Sequence, residues 1–302
     1  DHIDFSVKEG EIYGFLGPNG AGKTTTIRML LGLARPTGGT GTVRGYDIVR
    51  DQARVKQSIG VVPDSSNLYG ELSARDNLIF MGQLYGVPRG ERAQRAEELL
   101  QEFGLSDRAE TLFQKLSRGM KRRLTIAAAL VHRPRLLFMD EPTTGLDVVA
   151  ARGLRKTIRE LNARGATIFL TTHYIEEADQ LCHRVAVTVK GKIIVVDAPE
   201  ALKRLAHVDE VLELRISGAQ DGLRQKLAGI PRILQVAGDD TLLKLYISSL
   251  NEVMPAVVDA LAHSGANLTS IRTVLPTLED AFVRITGVEA EKLHSEQKEG
   301  KP

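Results

Sequence analysis

The sequence has little of several residue types and patterns that mark specialised protein classes. It contains one cysteine, Cys182, and no tryptophan. One cysteine excludes an internal disulfide and favours a reducing compartment. The longest apolar run, 124–131, falls far short of the ~18 residues that cross a bilayer, and no basic and apolar leader opens the chain. We therefore expect a cytoplasmic protein without a membrane-spanning segment.

The sequence also lacks a large excess of charge of one sign. Its 302 residues include 40 Lys and Arg and 38 Asp and Glu, which gives a net charge of +2. This balance gives no reason to expect a nucleic-acid partner. The length predicts about two domains. Gly-punctuated apolar runs reach residue 206, and short strand and helix patterns follow. We predict one domain over 1–206, a second over 207–287 with a boundary near His207, and a flexible tail over 288–302.

A glycine-rich segment after an apolar strand pattern at 12–16 fits the phosphate-binding pattern G-x-x-x-x-G-K-[ST]. Its backbone amides would wrap an anion, Lys23 would reach the β- and γ-phosphates, and Thr24 would offer a hydroxyl to Mg²⁺. A helix is predicted over 25–33, with its N-terminus towards the phosphates. The predicted nucleotide-binding residues are Gly17, Pro18, Asn19, Gly20, Ala21, Gly22, Lys23, Thr24 and Thr25. The loop alone fits a kinase, a GTPase or a motor equally well.

Carboxylates and a histidine follow at the ends of later strand patterns. The apolar run from Arg135 ends in Asp140 and Glu141. Asp140 would hold Mg²⁺, and Glu141 would orient and polarise an attacking water. His173 follows a strand predicted over 167–171, where its ring could touch a γ-phosphate. These residues predict a nucleotide-hydrolysing site.

A second anion site is predicted where the sequence Leu116-Ser117-Arg118-Gly119-Met120 opens an amphipathic helix that reaches Val131. A short loop with Thr144 and Asp147 lies further along the chain. Taken singly, each residue has a simpler interpretation: Ser117 as a helix cap, His173 as a core histidine, Glu141 as a surface acid. All of them in this order are hard to explain that way.

Together these motifs resemble the ATP-binding cassette of ABC transporters, over about residues 1–205. The resemblance implies an α/β P-loop fold with a mixed-sheet core and a helical subdomain over about 65–130. It implies ATP and Mg²⁺ as cofactors and catalytic roles for Lys23, Glu141 and His173. It also assigns Ser117 and Gly119 to the signature loop, Asp147 to the D-loop and His173 to the switch loop.

The sequence departs from the family pattern at three points. Arg118 stands where the signature loop most often has glycine. Asp64 occupies the glutamine position of the Q-loop, so we predict that it joins Thr24 and Asp140 as a metal ligand. The aromatic residue that stacks on adenine is expected upstream of Asp1, because Tyr13 lies inside the strand before the P-loop.

The C-terminal region shows the pattern β-α-β-β-α-β over 211–274, which predicts a small α+β, ferredoxin-like domain. A capped helix follows at Thr277, and this end resembles the accessory domain of drug- and antibiotic-exporting cassettes. No catalytic cluster is visible in it. An interaction domain, a packing element and a small-molecule regulatory site remain open.

The resemblance implies the ATP-hydrolysing subunit of an exporter. Two cassettes, expected to be identical, would sandwich two Mg-ATP and drive a separate membrane permease at the inner face of the cell membrane. The alternative is a soluble, non-transport ABC ATPase that acts as a nucleotide-switched interaction protein. A groove for a permease helix near 64–85 would distinguish the two.

Overall fold

The computed structural model describes residues 1–205, 210–218, 222–239, 241–274 and 277–287. These residues fall into two compact units, one within Asp1–Pro199 and the other within Glu200–Ala290. The position of the predicted boundary near His207 and the predicted tail over 288–302 lie outside the described residues. Within the described ranges, no helix is both long and apolar enough to span a membrane.

The first unit is built on a six-stranded sheet and a two-stranded ribbon. Its strands are β1 (Ile12–Leu16), β2 (Thr42–Val43), β3 (Tyr46–Asp47), β4 (Ile59–Val62), β5 (Leu136–Asp140), β6 (Thr167–Thr172), β7 (Arg184–Val189) and β8 (Lys192–Asp197). The large sheet has the order β4-β5-β6-β1-β7-β8, and β2 pairs with β3. Its strands run parallel except β8, which pairs antiparallel with β7. The predicted mixed α/β core is confirmed.

Helices surround this sheet and form a separate cluster between β4 and β5 along the chain. They are α1 (Lys23–Leu30), α2 (Gln52–Ser58), α3 (Ala74–Leu84), α4 (Arg92–Glu102), α5 (Arg118–Ala129), α6 (Val148–Ala163) and α7 (Ile175–Leu181). Helices α3, α4 and α5 pack against one another. Ser73 caps α3, because its hydroxyl oxygen accepts a hydrogen bond from the Asp76 amide at 3.0 Å. The helices predicted over 25–33 and from Ser117 to Val131 are present as α1 and α5, and they end three and two residues earlier than predicted.

Aromatic packing fixes the middle of the sheet. Tyr13 and Phe15 of β1 and Phe169 of β6 are fully buried, and the rings of Phe15 and Phe169 lie 5.2 Å apart. Tyr13 is therefore a core residue, as predicted. Parallel strands end at the same edge of a sheet. The residues after β1, at the end of β5 and after β6 consequently meet at one edge, where the predicted site residues lie.

The second unit begins at Glu200, within α8 (Pro199–Leu205). Its further elements are β9 (Glu210–Ser217), α9 (Leu223–Ala228), β10 (Ile233–Gly238), β11 (Leu242–Ile247), α10 (Leu250–Ala262), β12 (Asn267–Val274) and α11 (Leu278–Thr286). Its sheet has the order β10-β11-β9-β12, all antiparallel. The predicted β-α-β-β-α-β order is therefore present. The sheet packs against α9 and α10, and Ala281 and Ile285 of α11 pack with Val211 and Tyr246. The unit thus has a core of its own.

Candidate active site

The phosphate-binding loop joins the fully buried strand β1 to α1. Gly17 has no room for a side chain, because a Cβ there would lie 2.2 Å from the Thr188 carbonyl oxygen. Gly22 precedes α1 with φ at 92°, a conformation that favours glycine. Helix α1 begins at Lys23, two residues before the predicted start at Thr25, because the loop leads directly into the helix. No side chain in the described part of the chain caps α1, so its first turn keeps amides for an anion.

Lys23 lies inside this loop and is 5% exposed. Its ammonium group donates to the carbonyls of Gly17 at 2.8 Å and Pro18 at 3.1 Å. Its Nζ atom also lies 3.4 Å from Oε1 of Glu141. Burial lowers the pKa of Lys23, and the charge of Glu141 opposes that shift. The structure therefore joins the loop cation to the predicted catalytic carboxylate.

Glu141 follows β5 in a left-handed conformation, with φ at 44°, which is uncommon for a residue with a side chain. Its amide donates to the carbonyl and the hydroxyl of Thr171, each at 3.1 Å. Its Oε2 atom accepts from the Thr144 hydroxyl at 3.1 Å and lies 3.0 Å from Nδ1 of His173. These contacts hold the strained residue in one orientation.

Electrostatics keep Glu141 ionised. Burial alone would raise its pKa, but the His173 ring at 3.0 Å, the Lys23 ammonium and the Thr144 hydroxyl hold that pKa at about 2. His173 follows β6 and is itself 3% exposed. A carboxylate with such a low pKa is a weak proton acceptor. It is suited to orienting a water by accepting a hydrogen bond from it.

Asp140, at the end of β5, faces the hydroxyl of Thr24. The Thr24 hydroxyl donates to Oδ1 of Asp140 at 3.3 Å, and Oδ1 also accepts from the Thr171 hydroxyl. A cavity of about 330 Å³ is lined by Thr24, Asp140 and Asp64, among others. Burial, followed by the charge of Glu141, raises the pKa of Asp64, and Arg122 opposes this in part. The three predicted metal ligands therefore border one cavity.

Oxygen donors of this kind suit Mg²⁺. Within the described part of the chain, no group of three or more His, Cys, Asp or Glu side chains could hold a metal ion by itself. A cation here would need further oxygen ligands from a nucleotide or from water. A larger cavity of about 430 Å³ borders Tyr85 and His132, and no predicted site residue lines it.

The remaining predicted residues lie elsewhere. Ser117 is exposed and caps α5, its hydroxyl oxygen accepting from the Met120 amide at 3.3 Å. Asp147 caps α6, accepting from the Ala150 amide at 2.8 Å. Among the residues described, no hydrogen bond or ion pair joins Ser117, Gly119 or Asp147 to the P-loop or to Glu141. One chain brings together Lys23, Thr24, Asp64, Asp140, Glu141 and His173, and leaves these three apart.

Two residues in this region were not predicted. Thr171 binds Asp140 and Glu141 from the neighbouring strand, as described above. Arg122 of α5 is 9% exposed, and its guanidinium donates to backbone carbonyls on two loops. The acceptors are the carbonyls of Pro63, Asp64, Asp140, Glu141 and Pro142. The available signal was a charged residue on the apolar face of α5, since positions 122, 125, 126 and 129 are all buried.

Arg118, the departure in the signature loop, contacts the loop that carries Asp147. Its guanidinium donates to the Gly145 carbonyl at 2.7 Å. A Cβ at Gly145, where φ is 73°, would lie 2.8 Å from that guanidinium. The two exposed loops are therefore linked within one chain.

Comparison with known proteins identifies relatives along almost the whole chain. Residues 1–144 match the family model described as ABC transporter. The linearmycin resistance ATP-binding protein LnrL of Bacillus subtilis is 39% identical, with 94% of this chain and 92% of that protein covered. The Nod factor export ATP-binding protein I of Paraburkholderia xenovorans is 40% identical, with 96% and 92% covered. The daunorubicin/doxorubicin resistance ATP-binding protein DrrA of Streptomyces peucetius is 37% identical, with 98% and 90% covered.

Solved structures resemble about two thirds of this chain. An ATP-binding subunit of an ABC transporter matches with a TM-score of 0.61 and 31% identity, over 67% of this chain and 85% of that chain. A dimeric ATP-binding cassette in a post-hydrolysis state, bound to ADP and Pi, matches with a TM-score of 0.59 and 27% identity, over 65% and 88%.

Proposed function

The chain belongs to the ABC transporter family, and from that premise we propose that it is the ATP-hydrolysing subunit of an exporter. The relatives are named for antibiotic resistance and for Nod factor export, and they match nearly their full lengths. We assign residues 1–206 to the ATPase, 207–287 to an accessory domain and 288–302 to a tail.

The observation that carries hydrolysis is the position of Glu141, held ionised by Lys23 and His173 beside Asp140. The chain provides a cation and amides for the triphosphate in the P-loop, and a fixed carboxylate next to them. Glu141 orients the attacking water, and His173 fixes the carboxylate that does so. Lys23 stabilises negative charge that develops on the γ-phosphate.

Mg²⁺ is the cation that we assign to Thr24 and Asp140, with Asp64, which lines the same cavity, as a further ligand. This assignment is supported by the shared cavity and by the 3.3 Å contact of Thr24 with Asp140. When bound, Mg²⁺ supplies positive charge against the β- and γ-phosphates. Burial and the negative charge of Glu141 raise the pKa of Asp64. A nearby cation would offset the repulsion between the two carboxylates and favour ionised Asp64.

Three predicted site residues lie apart from the P-loop of their own chain, and we assign them to the ATP site of a second copy. Ser117 and Gly119 at the exposed start of α5, and Asp147 at the start of α6, would complete the ATP site of the partner cassette. A helix N-terminus and a serine hydroxyl are suited to an anion. Each triphosphate would then be shared by two chains, so that ATP closes the dimer and hydrolysis opens it.

We assign a separate membrane permease as the partner that binds the surface around α3, at the inner face of the cell membrane. Tyr69 is 49% and Leu84 is 62% exposed, and the rings of Tyr69 and Phe80 lie 5.1 Å apart. Exposed apolar side chains in this segment favour a partner helix. They support the exporter over the alternative of a nucleotide-switched ATPase without a permease.

The proposal is tested by purifying the tagged chain from detergent-solubilised native membranes and identifying what accompanies it. We expect an integral-membrane protein with the parent chain, its loss with Tyr69→Glu plus Leu84→Glu, and its retention with Ile194→Glu. Ile194 is a suitable control because it is 47% exposed and lies on β8, outside the segment around α3. An ATPase that accompanies no membrane protein in any of these preparations would support the alternative.

A further inference from the structure

A two-residue turn behind the P-loop connects β7 to β8. Lys190 has φ at 49° and Gly191 has φ at 79°, between the paired residues Val189 and Lys192. Positive φ at both positions is the geometry of a type I′ hairpin turn, which asparagine and glycine adopt most easily. Lysine at the first position is unfavourable there, so the surroundings must hold the turn in place.

This turn and the end of β7 contact both ends of the P-loop. The Gly191 amide donates to the Ala21 carbonyl at 3.1 Å, and a Cβ at Gly22 would lie 3.5 Å from Cα of Gly191. At the other end, the buried Thr188 hydroxyl donates to the Leu16 carbonyl at 3.1 Å. The Thr188 carbonyl lies directly against Gly17, as described above. We call residues 188–191 the supporting turn.

The contact with Ala21 determines where the next amide points. In a trans peptide the carbonyl and the following N–H point in opposite directions. The described residues contain no cis peptide, so the Ala21 carbonyl and the Gly22 amide obey this rule. Because the Ala21 carbonyl is held towards Gly191, the Gly22 amide is directed away from the supporting turn and is available to an anion there.

We propose that the supporting turn positions the P-loop amides for the triphosphate of ATP, a role that rests on the function proposed above. Gly191 orients the Ala21–Gly22 peptide, and Thr188 anchors the start of the loop. Both residues act through their contacts with the loop. The supporting turn sets affinity for the phosphates and has no part in the chemistry of hydrolysis.

The chain contains a matched control for this role. Arg44 and Gly45 form a second turn of the same kind between the paired residues Val43 and Tyr46, with φ at 51° and 82°. Among the described residues, a Cβ at Gly45 would meet nothing within 4 Å, and one at Gly191 would lie 3.4 Å from the Asp1 amino group, an ordinary contact. Gly191→Ala and Gly45→Ala therefore introduce the same left-handed strain, and only the first acts next to the P-loop.

The test measures dissociation constants for ATP and for tripolyphosphate, by displacement of a fluorescent ATP analogue from the full chain. For Gly191→Ala we expect both constants to rise about tenfold, the loss of roughly one oriented hydrogen bond. Gly45→Ala should change them by less than about twofold. Lys190→Asn, which suits the turn and removes the charge, should bind like the parent.

The outcomes separate this inference from the proposed function. A parent chain that binds no ATP would contradict the proposed function. If the parent binds ATP but Gly191→Ala and Gly45→Ala have equal dissociation constants, the supporting role is overturned. Loss with Lys190→Asn would also overturn it, by assigning the effect to the lysine charge. If Gly191→Ala does not fold, Thr188 provides the test. Thr188→Val, which lacks the hydroxyl, should bind ATP more weakly than the parent, and Thr188→Ser, which keeps it, should bind ATP like the parent. Equal ATP binding by these two variants would overturn the proposal.

Discussion

Replacing Arg122 tests how the hydrolytic loop is held. The Arg122 guanidinium donates to carbonyls of two segments: Pro63 and Asp64 after β4, and Asp140 at the end of β5 with Glu141 and Pro142 after it. Met is close to Arg in length and keeps the apolar stem. The variant Arg122→Met therefore removes the donors with little change in packing.

The magnitude follows from the contacts. Buried carbonyls left without a donor cost about 1–3 kcal/mol each, and their costs overlap because one group serves all of them. We expect a loss of about 3 kcal/mol in the free energy of unfolding, which lowers the melting temperature by about 6–12 °C for a domain of this size. The control is the neighbouring Arg123→Met, since Arg123 donates only to the Phe103 carbonyl, at 2.9 Å, among the residues described. Arg123→Met should lower the free energy of unfolding by about 1 kcal/mol.

The assay is thermal unfolding of both variants, followed by the rate of phosphate release from ATP. Arg122→Met should melt well below Arg123→Met and should hydrolyse ATP more slowly, because the Glu141 loop is no longer fixed. Equal melting temperatures for the two variants would refute the reasoning. If Arg122→Met is destabilised but hydrolyses ATP at the parental rate, the hydrogen bonds of Arg122 stabilise the fold without positioning Glu141.

Lys23→Ala should weaken ATP binding at least about tenfold, measured by nucleotide displacement, because the variant loses a charge-assisted contact to the phosphates. Asp64→Ala should reduce the rate of hydrolysis more than it reduces ATP affinity, and Asp64→Gln should be tolerated; equal losses would argue for another role of Asp64. In a Glu141→Gln background, Ser117→Arg should abolish ATP-dependent dimers in light scattering, whereas dimers that persist would contradict a shared site. Glu141 has a pKa lowered from 4.5 to about 2, so its ionised form stabilises the fold fully above pH 4.5, and this contribution disappears as the pH falls towards 2. The melting difference between parent and Glu141→Gln should therefore be constant near neutral pH and shrink below pH 4.5.

The sequence predicts the parts of the site that depend on local pattern. Gly17 to Thr24, Asp140 and His173 follow apolar strand patterns, and parallel strands end at one edge, so their meeting could be anticipated. The β-α-β-β-α-β order of the second unit follows from its alternating strand and helix patterns in the same way.

Contacts between distant segments were not predictable. Arg122 reaches carbonyls 18 to 59 positions away, and Thr171 reaches Asp140 from 31 positions away. No spacing rule encodes such contacts, because they depend on how α5 and β6 lie against β5. The position of Ser117 is a different case: in a single chain it caps a helix, and a phosphate role requires a second chain.

Hydrolysis by Glu141→Gln is the most direct test of the central claim that an ionised Glu141 orients the water. Glutamine keeps the shape and leaves Asp140, Lys23 and Thr24 in place. ATP should still bind with parental affinity, while phosphate release in the assembled system should slow at least ~10²-fold. A variant that binds ATP and hydrolyses it at the parental rate would contradict the account.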